Sequence, residues 1–294
     1  MSKVNGLLIL DKPAGMTSHD VVARVRRATG ESSIGHLGTL DPMATGVLPL
    51  LLGKFTRLAQ FYGASEKAYT GTIRFGFATD TWDAEGRPQS QARAVSLALD
   101  DVRRAASRFH GEMDQMPPPF SAKKIDGKAA HRIARGGETP KLKPARITIH
   151  EFTISACEGN CASFVMRISA GGYVRSVAHE LGQELGPGAH LASLRRTASG
   201  PFLLENALPL EAVETYARSG ELASRIPHPR TMLPWMPPVT ADEQTLGRLR
   251  NGMQVNLPEF STAELVKIFE GQSGLAAIGR RVAGTLFQPT VVLL

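Results

Sequence analysis

The chain has 294 residues, 42% hydrophobic and 21% charged, with a net charge of +7. That is enough for one large core and a small one; the balance excludes a disordered or fibrous chain, and no run of about 20 apolar residues is present to span a membrane. The basic excess points to a polyanionic partner.

The first residues carry too short an apolar stretch and too little basic flank for a signal peptide. Two cysteines, Cys157 and Cys161, with no second Cys or His pair, make no zinc site. A cytoplasmic location with reduced thiols is the expectation.

Residues 4–10 read as a buried strand, ended by Asp11-Lys12-Pro13-Ala14-Gly15. A helix follows, with Thr17 and Asp20 spaced as a capping box, Val21, Val22, Val25 and Ala28 as its apolar face, and Gly30 as its stop. Arg24, Arg26 and Arg27 fall mostly on its outer face, solvated or turned to phosphate. Residues 35–46 then form a loop: Gly35, Gly38, Pro42 and Gly46 break every helical or strand period, and Asp41-Pro42 initiates a turn. The dense apolar run 47–52 beside it must be buried. A carboxylate, an imidazole and two hydroxyls thus sit on a glycine-jointed loop clamped against core, where a scaffold presents reactive groups. On spacing alone, Asp41 reads first as a turn residue capping the following backbone N–H groups.

Residues 67–77 alternate as a strand with one buried face, opened by Tyr69. Such a tyrosine is a packed ring with a bonded hydroxyl, or a catalytic one. Residues 79–86 make an acidic turn whose carboxylates lack the spacing of a calcium loop. Val102, Ala105, Ala106 and Phe109 mark a helix. From Phe120 to Arg146 the chain holds eight basic residues against Asp126 and Glu138, which concentrates most of the net charge in one segment. That is the electrostatic footprint for a phosphate backbone, or else a lysine-rich insertion that binds nothing. Residues 147–155 and 163–169 pair as strands around a Cys157–Cys161 turn. Val174, Val177, Leu181 and Leu185 mark a helix stopped by Gly186. Arg175 falls in its first turn, where a cation opposes the helix dipole. Something anionic must compensate, and Asp41, a phosphate or water are the candidates. Pro227, Pro229, Pro234, Pro237 and Pro238 form a stiff linker. Beyond it come a short helix, with Thr240 and Glu243 as capping box and Leu246 and Leu249 inward, and short strands at 265–269, 275–278 and 282–287.

The string Gly35-His36-x-Gly38-x-Leu40-Asp41-Pro42-x-Ala44-Thr45-Gly46 resembles the active-site motif of the TruB family of pseudouridine synthases. Leu10-Asp11-Lys12-Pro13-x-Gly15-x-Thr17-Ser18-His19-Asp20 is similar to its first motif, and Lys67-x-Tyr69 to its stacking aromatic. The stretch Pro117-Pro118-x-x-Ser121-Ala122-x-Lys124 resembles its insertion over RNA, and Gly171-x-Tyr173-x-Arg175-Ser176 and Leu194-Arg195-Arg196 resemble later motifs. Two departures are Ala84 in place of glycine after Asp83, and His131 where tyrosine is common.

The resemblance implies an α+β fold: a mixed, largely antiparallel central sheet flanked by helices, with a small β-rich PUA-like C-terminal domain. It implies a catalytic domain over 1–234, with a basic RNA-clasping insertion at about 117–146, and an RNA-binding domain over 235–294. The implied activity is isomerisation of uridine-55 in the T loop of tRNA. Asp41, Tyr69 and Arg175 would be catalytic, with Asp41 attacking C1′ or C6. His36, Tyr69, Asp83, Tyr173 and Leu194 would bind the nucleoside, although core packing explains Leu194 equally. Lys12, Lys123, Lys124, Lys128 and Arg132 would meet the RNA backbone. The reaction has no redox change and needs no cofactor or metal; the partner would be the tRNA T arm, met by a monomer. Two other readings remain: a tRNA-binding or tRNA-folding protein without turnover, indifferent to Asp41→Asn, and a hydrolase using Asp41 with a metal on the acidic turn, sensitive to chelators.

Overall fold

The computed structural model describes residues 4–294 except 122, 126, 131, 132, 134, 135, 137 and 139. A large sheet organises the body. Its strands run in the order Leu208–Pro209, Gly6–Lys12, Thr45–Leu52, Ala189–Ser199, Lys67–Phe75, Cys161–Ile168, Ala145–Glu158 and Gly111–Gln115. Ile34–His36 adds to Thr45–Leu52, and Phe202–Leu203 to Ala189–Ser199. Pairing is antiparallel except between Gly6–Lys12 and Leu208–Pro209 and between Thr45–Leu52 and Ala189–Ser199. This is the expected mixed, largely antiparallel α+β architecture.

The two apolar strands Gly6–Lys12 and Thr45–Leu52 are buried on both faces, which is why they read as continuous runs rather than alternations. Leu8, Leu10, Leu48, Leu50 and Leu52 join the core beneath helices Ser18–Thr29, Leu99–Ala106, Val174–Leu185 and Leu210–Ser219. Leu7, Ile9, Val47 and Leu51 point the other way. There they pack with Phe269, Leu275, Ile278 and Val291 of a second, five-stranded sheet and with Met232, Leu233 and Met236. The proline-rich segment, expected as a stiff linker, is packed into the seam between the two sheets. The second sheet keeps its own cluster around Leu246, Leu249, Val266 and Phe287.

Local chemistry explains the agreements and the shifts. Helix Ser18–Thr29 starts at Thr17 with the full capping box to Asp20 and ends at Gly30 with φ 69°. Its Arg24, partly exposed, grips Glu214 of the neighbouring helix with two 2.7 Å bonds. The first strand runs Gly6–Lys12, two residues later than expected, because it pairs along the neighbouring strand from Leu52 to Gly46, Lys12 opposite Gly46. Pairing continues through both cysteines, Glu158 opposite Cys161, so the turn shrinks to Gly159 and Asn160; both thiols are free. The C-terminal helix Glu243–Arg250 is capped by Asp242, whose side chain accepts from Thr245 N at 2.8 Å. Thr240 lies instead on strand Pro238–Ala241.

Candidate active site

The 35–46 segment leaves the sheet after Ile34–His36 and returns at Thr45. Between those points it is pinned from beneath. Ser18 Oγ exchanges two hydrogen bonds with the Leu40 backbone, at 2.8 and 3.0 Å. Lys12 Nζ donates to the carbonyls of Pro13 (2.8 Å), Pro42 (3.1 Å) and Ala44 (2.7 Å). Arg196 donates to Gly38 O at 3.0 Å and to Val47 O at 2.7 Å. Gly46, at φ 101°, lets the loop re-enter against Arg196: a Cβ there would lie 2.2 Å from the Arg196 carbonyl. The result is a loop without regular structure but with few free dihedrals, holding Asp41 at its crest.

Lys12 corrects an expectation. It is fully buried and its three donors are spent on main-chain carbonyls, so it clamps the loop and does not meet an RNA backbone. Burial pushes its pKa down to about 8, against the pull of Glu85 and Asp41.

Arg175, in the first turn of Val174–Leu185, is buried and faces Asp41 with a fork: Nη2 donates to Oδ1 at 2.9 Å and Nε lies 2.9 Å from Oδ2. The helix N-terminus that disfavours a cation is thereby offset by a carboxylate. The remaining donors reach Thr81 O at 3.1 Å, Phe120 O at 3.0 Å and Asp83 Oδ2 at 3.3 Å. Asp83 is itself buried, with Oδ1 accepting from Thr81 Oγ1 (2.6 Å) and Glu85 N (3.1 Å). It thus braces the guanidinium from behind. Asp41 keeps about a third of its side chain exposed. Burial raises its pKa above the usual carboxylate range, Arg175 opposes that rise and Asp83 adds to it.

Asp41 forms one wall of a cavity of about 260 Å³ with Tyr69, Tyr173, Arg175, Leu194 and Arg196. Tyr69 stands opposite Arg196 across the sheet ladder, and Leu194 lies two residues before Arg196 on the same face. Burial raises the Tyr173 hydroxyl pKa. His36 does not enter this cavity. It lines a larger one of about 670 Å³ on the other side of Asp41, which also takes in Asp83, Glu85, His19 and Arg175. Burial, then Arg196, holds the His36 pKa below its ordinary value.

The structure thus brings Asp41, Arg175 and Asp83 into contact and places Tyr69, Tyr173 and Leu194 around the same space. In the basic insertion, Lys123 Nζ donates to Lys143 O at 3.1 Å, Lys128 is exposed, Lys124 sits on a two-stranded hairpin with Lys128, and Arg132 lies outside the described residues. Among the described residues no three His, Cys, Asp or Glu side chains are grouped to hold a metal. Sequence reasoning missed Arg196 and Gln115. The signal for Arg196 was period-two spacing from Leu194. Gln115, a buried amide hydrogen-bonded to the backbone of Tyr173 in both directions, left no signal.

Comparison with known proteins identifies relatives along the whole chain. A family model described as "TruB family pseudouridylate synthase (N terminal domain)" matches residues 26–174, and one described as "tRNA pseudouridylate synthase B C-terminal domain" matches residues 175–232. A "tRNA pseudouridine synthase B" of Solibacter usitatus is 44% identical over 293 residues, covering 99% of this chain and all of its own. One of Aquifex aeolicus is 36% identical, covering 96% of this chain and 98% of its own. Among solved structures, a chain from a Cbf5–Nop10–Gar1 complex superposes with a TM-score of 0.71 at 25% identity, covering 98% of this chain and 85% of that one.

Proposed function

The chain belongs to the TruB family of pseudouridylate synthases, and on that premise we propose that it converts uridine-55 in the T loop of tRNA to pseudouridine, with Asp41 as nucleophile. The observation that carries the reading is the Arg175 fork on Asp41 at the mouth of a cavity walled by Tyr69 and Leu194. The tRNA substrate is supported by the curated relatives, which are named for it.

The geometry suits the chemistry step by step. A flipped uridine enters the Asp41 cavity, at an unstacking cost of a few kcal/mol. The Asp41 carboxylate attacks C1′ and the C1′–N1 bond breaks, its electron pair leaving on the uracil. The freed base turns in place against Tyr69. C5 then bonds to C1′ as the carboxylate leaves, C5 loses its proton and N1 gains one. Nothing is oxidised or reduced. Arg175 keeps Asp41 ionised against the burial that would protonate it. Asp83 fixes the guanidinium plane. Tyr69 stacks on the base and, as general base, takes up the proton that C5 loses. His36, in the adjoining cavity, fills the gap left in the RNA stack. Lys123, Lys124, Lys128 and Arg132 meet the phosphate backbone, and the 235–294 unit serves as a PUA-like RNA-binding appendage.

Carbodiimide mapping of unmodified tRNA after incubation with the protein tests the substrate position. A single new stop at position 55 is expected. A stop elsewhere only would overturn the position, and no stop despite tight binding would favour the tRNA-binding protein without turnover.

A further inference from the structure

We propose that Gln115 is a positioning residue for the reaction: its buried amide sets the placement of Tyr173 and, through the helix that starts there, the aim of Arg175 at Asp41. This rests on the reading of Asp41 as nucleophile.

Gln115 ends the edge strand Gly111–Gln115 and is 1% exposed. Its Oε1 accepts from Tyr173 N at 2.8 Å and its Nε2 donates to Tyr173 O at 3.0 Å. An amide side chain carries a separate acceptor and donor, which here engage the N–H and the carbonyl of one residue at the same time. Tyr173 is the N-cap of Val174–Leu185 and has no side-chain cap of its own, so Gln115 fixes where that helix begins. Arg175 is two residues further on. The approach to Tyr173 supplies little stiffness, because Gly171 (φ 85°) and Gly172 precede it. The strap that Gln115 opens is tied to the same helix turn twice more: Ser176 Oγ donates to Met116 O at 2.7 Å, and Arg175 Nη2 to Phe120 O at 3.0 Å. Of these three ties, the Gln115 one alone is made by a side chain of the strap, so substitution can remove it without altering the backbone.

The charged groups facing Asp41 are Arg175 from the helix, Asp83 and Glu85 from the acidic turn, and Lys12 from the first strand. Among them, the one whose placement depends on Gln115 is Arg175. Loosening the tie therefore weakens the force that keeps Asp41 ionised, without touching the others.

The test compares wild type, Gln115→Met, Gln115→Asn and Met116→Ala, the last changing an exposed neighbour. Thermal melting, KM for tRNA and kcat against pH are measured. Gln115→Met should lower kcat about 10- to 100-fold at neutral pH with KM little changed, and move the acid limb of the profile to higher pH. Gln115→Asn, which keeps the chemistry but is one methylene short, should do the same to a smaller degree and carries the test if Gln115→Met does not fold. Met116→Ala should match wild type. An acid limb at the wild-type position in both Gln115 variants, or a kcat loss no larger than the loss of folded protein, would overturn the inference. Asp41→Asn, run alongside, separates the two readings. If it is inactive while the Gln115 variants keep the wild-type limb, the positioning role alone fails. If it retains turnover, the nucleophile reading fails first.

Discussion

Arg175 divides one guanidinium between two carboxylates and two carbonyls, and this division sets the chemistry of Asp41. Replacing it with Met would leave Asp41 with burial and Asp83 both acting to protonate it, and would leave Asp83 a buried carboxylate without a counter-charge. In the proposed reaction the ionised form of Asp41 attacks; its pKa would climb further, so the acid limb of the pH–rate profile should move to higher pH. Stability should drop by about 3 kcal/mol. Titrating activity and melting the same variant checks both; an unmoved limb would contradict the pairing. This contact was partly legible in the sequence. A cation in the first helical turn demands an anion, and Asp41 was a candidate, but choosing it over phosphate needed a distance. Lys12 was misread for the converse reason. Beside a Pro-Ala-Gly turn it looks like a surface lysine, and its burial depends on carbonyls about thirty residues away.

At the scale of the element, the 35–46 loop is pinned because the buried cations Lys12 and Arg196 hold its carbonyls. Lys12 makes this measurable. Its folded pKa of about 8 lies below the unfolded value of 10.5, so its charged form costs stability at neutral pH, and the cost lifts as pH rises from 8 to 10.5. The stability of wild type relative to Lys12→Met should therefore increase across that window, by about 3 kcal/mol at most. Denaturant titrations of both proteins at pH 7.5 and 10 would show it; a constant difference would mean that the lysine titrates as an exposed one. The elements themselves were readable where local chemistry decides them: the Thr17–Asp20 box, the stops at Gly30 and Gly186, and the doubly buried run 47–52. The cap at Asp242 was missed in favour of Thr240, because the strand pairing that claims Thr240 with Phe269 is non-local. The pinning of the loop by Arg196 was equally invisible, since it joins residues on neighbouring strands far apart in sequence.

For the molecule as a whole, the shared cluster between the two sheets makes body and C-terminal unit one cooperative structure. Phe269 is fully buried in that seam, so Phe269→Ala should cost about 3–5 kcal/mol and lower a single melting transition. Two separated transitions in calorimetry would contradict the coupling. The sequence marked the segment at 227–238 as stiff but not as packed, since proline spacing carries no information about which face meets Met232 and Leu233. The central claim, that Asp41 is the nucleophile of a pseudouridine-forming reaction, is tested most directly by tritium release from tRNA labelled at uridine C5, because C5 surrenders its hydrogen when it becomes the glycosidic carbon. Wild type should release tritium and Asp41→Asn should release none while still binding tRNA. Equal release from both proteins would contradict the account.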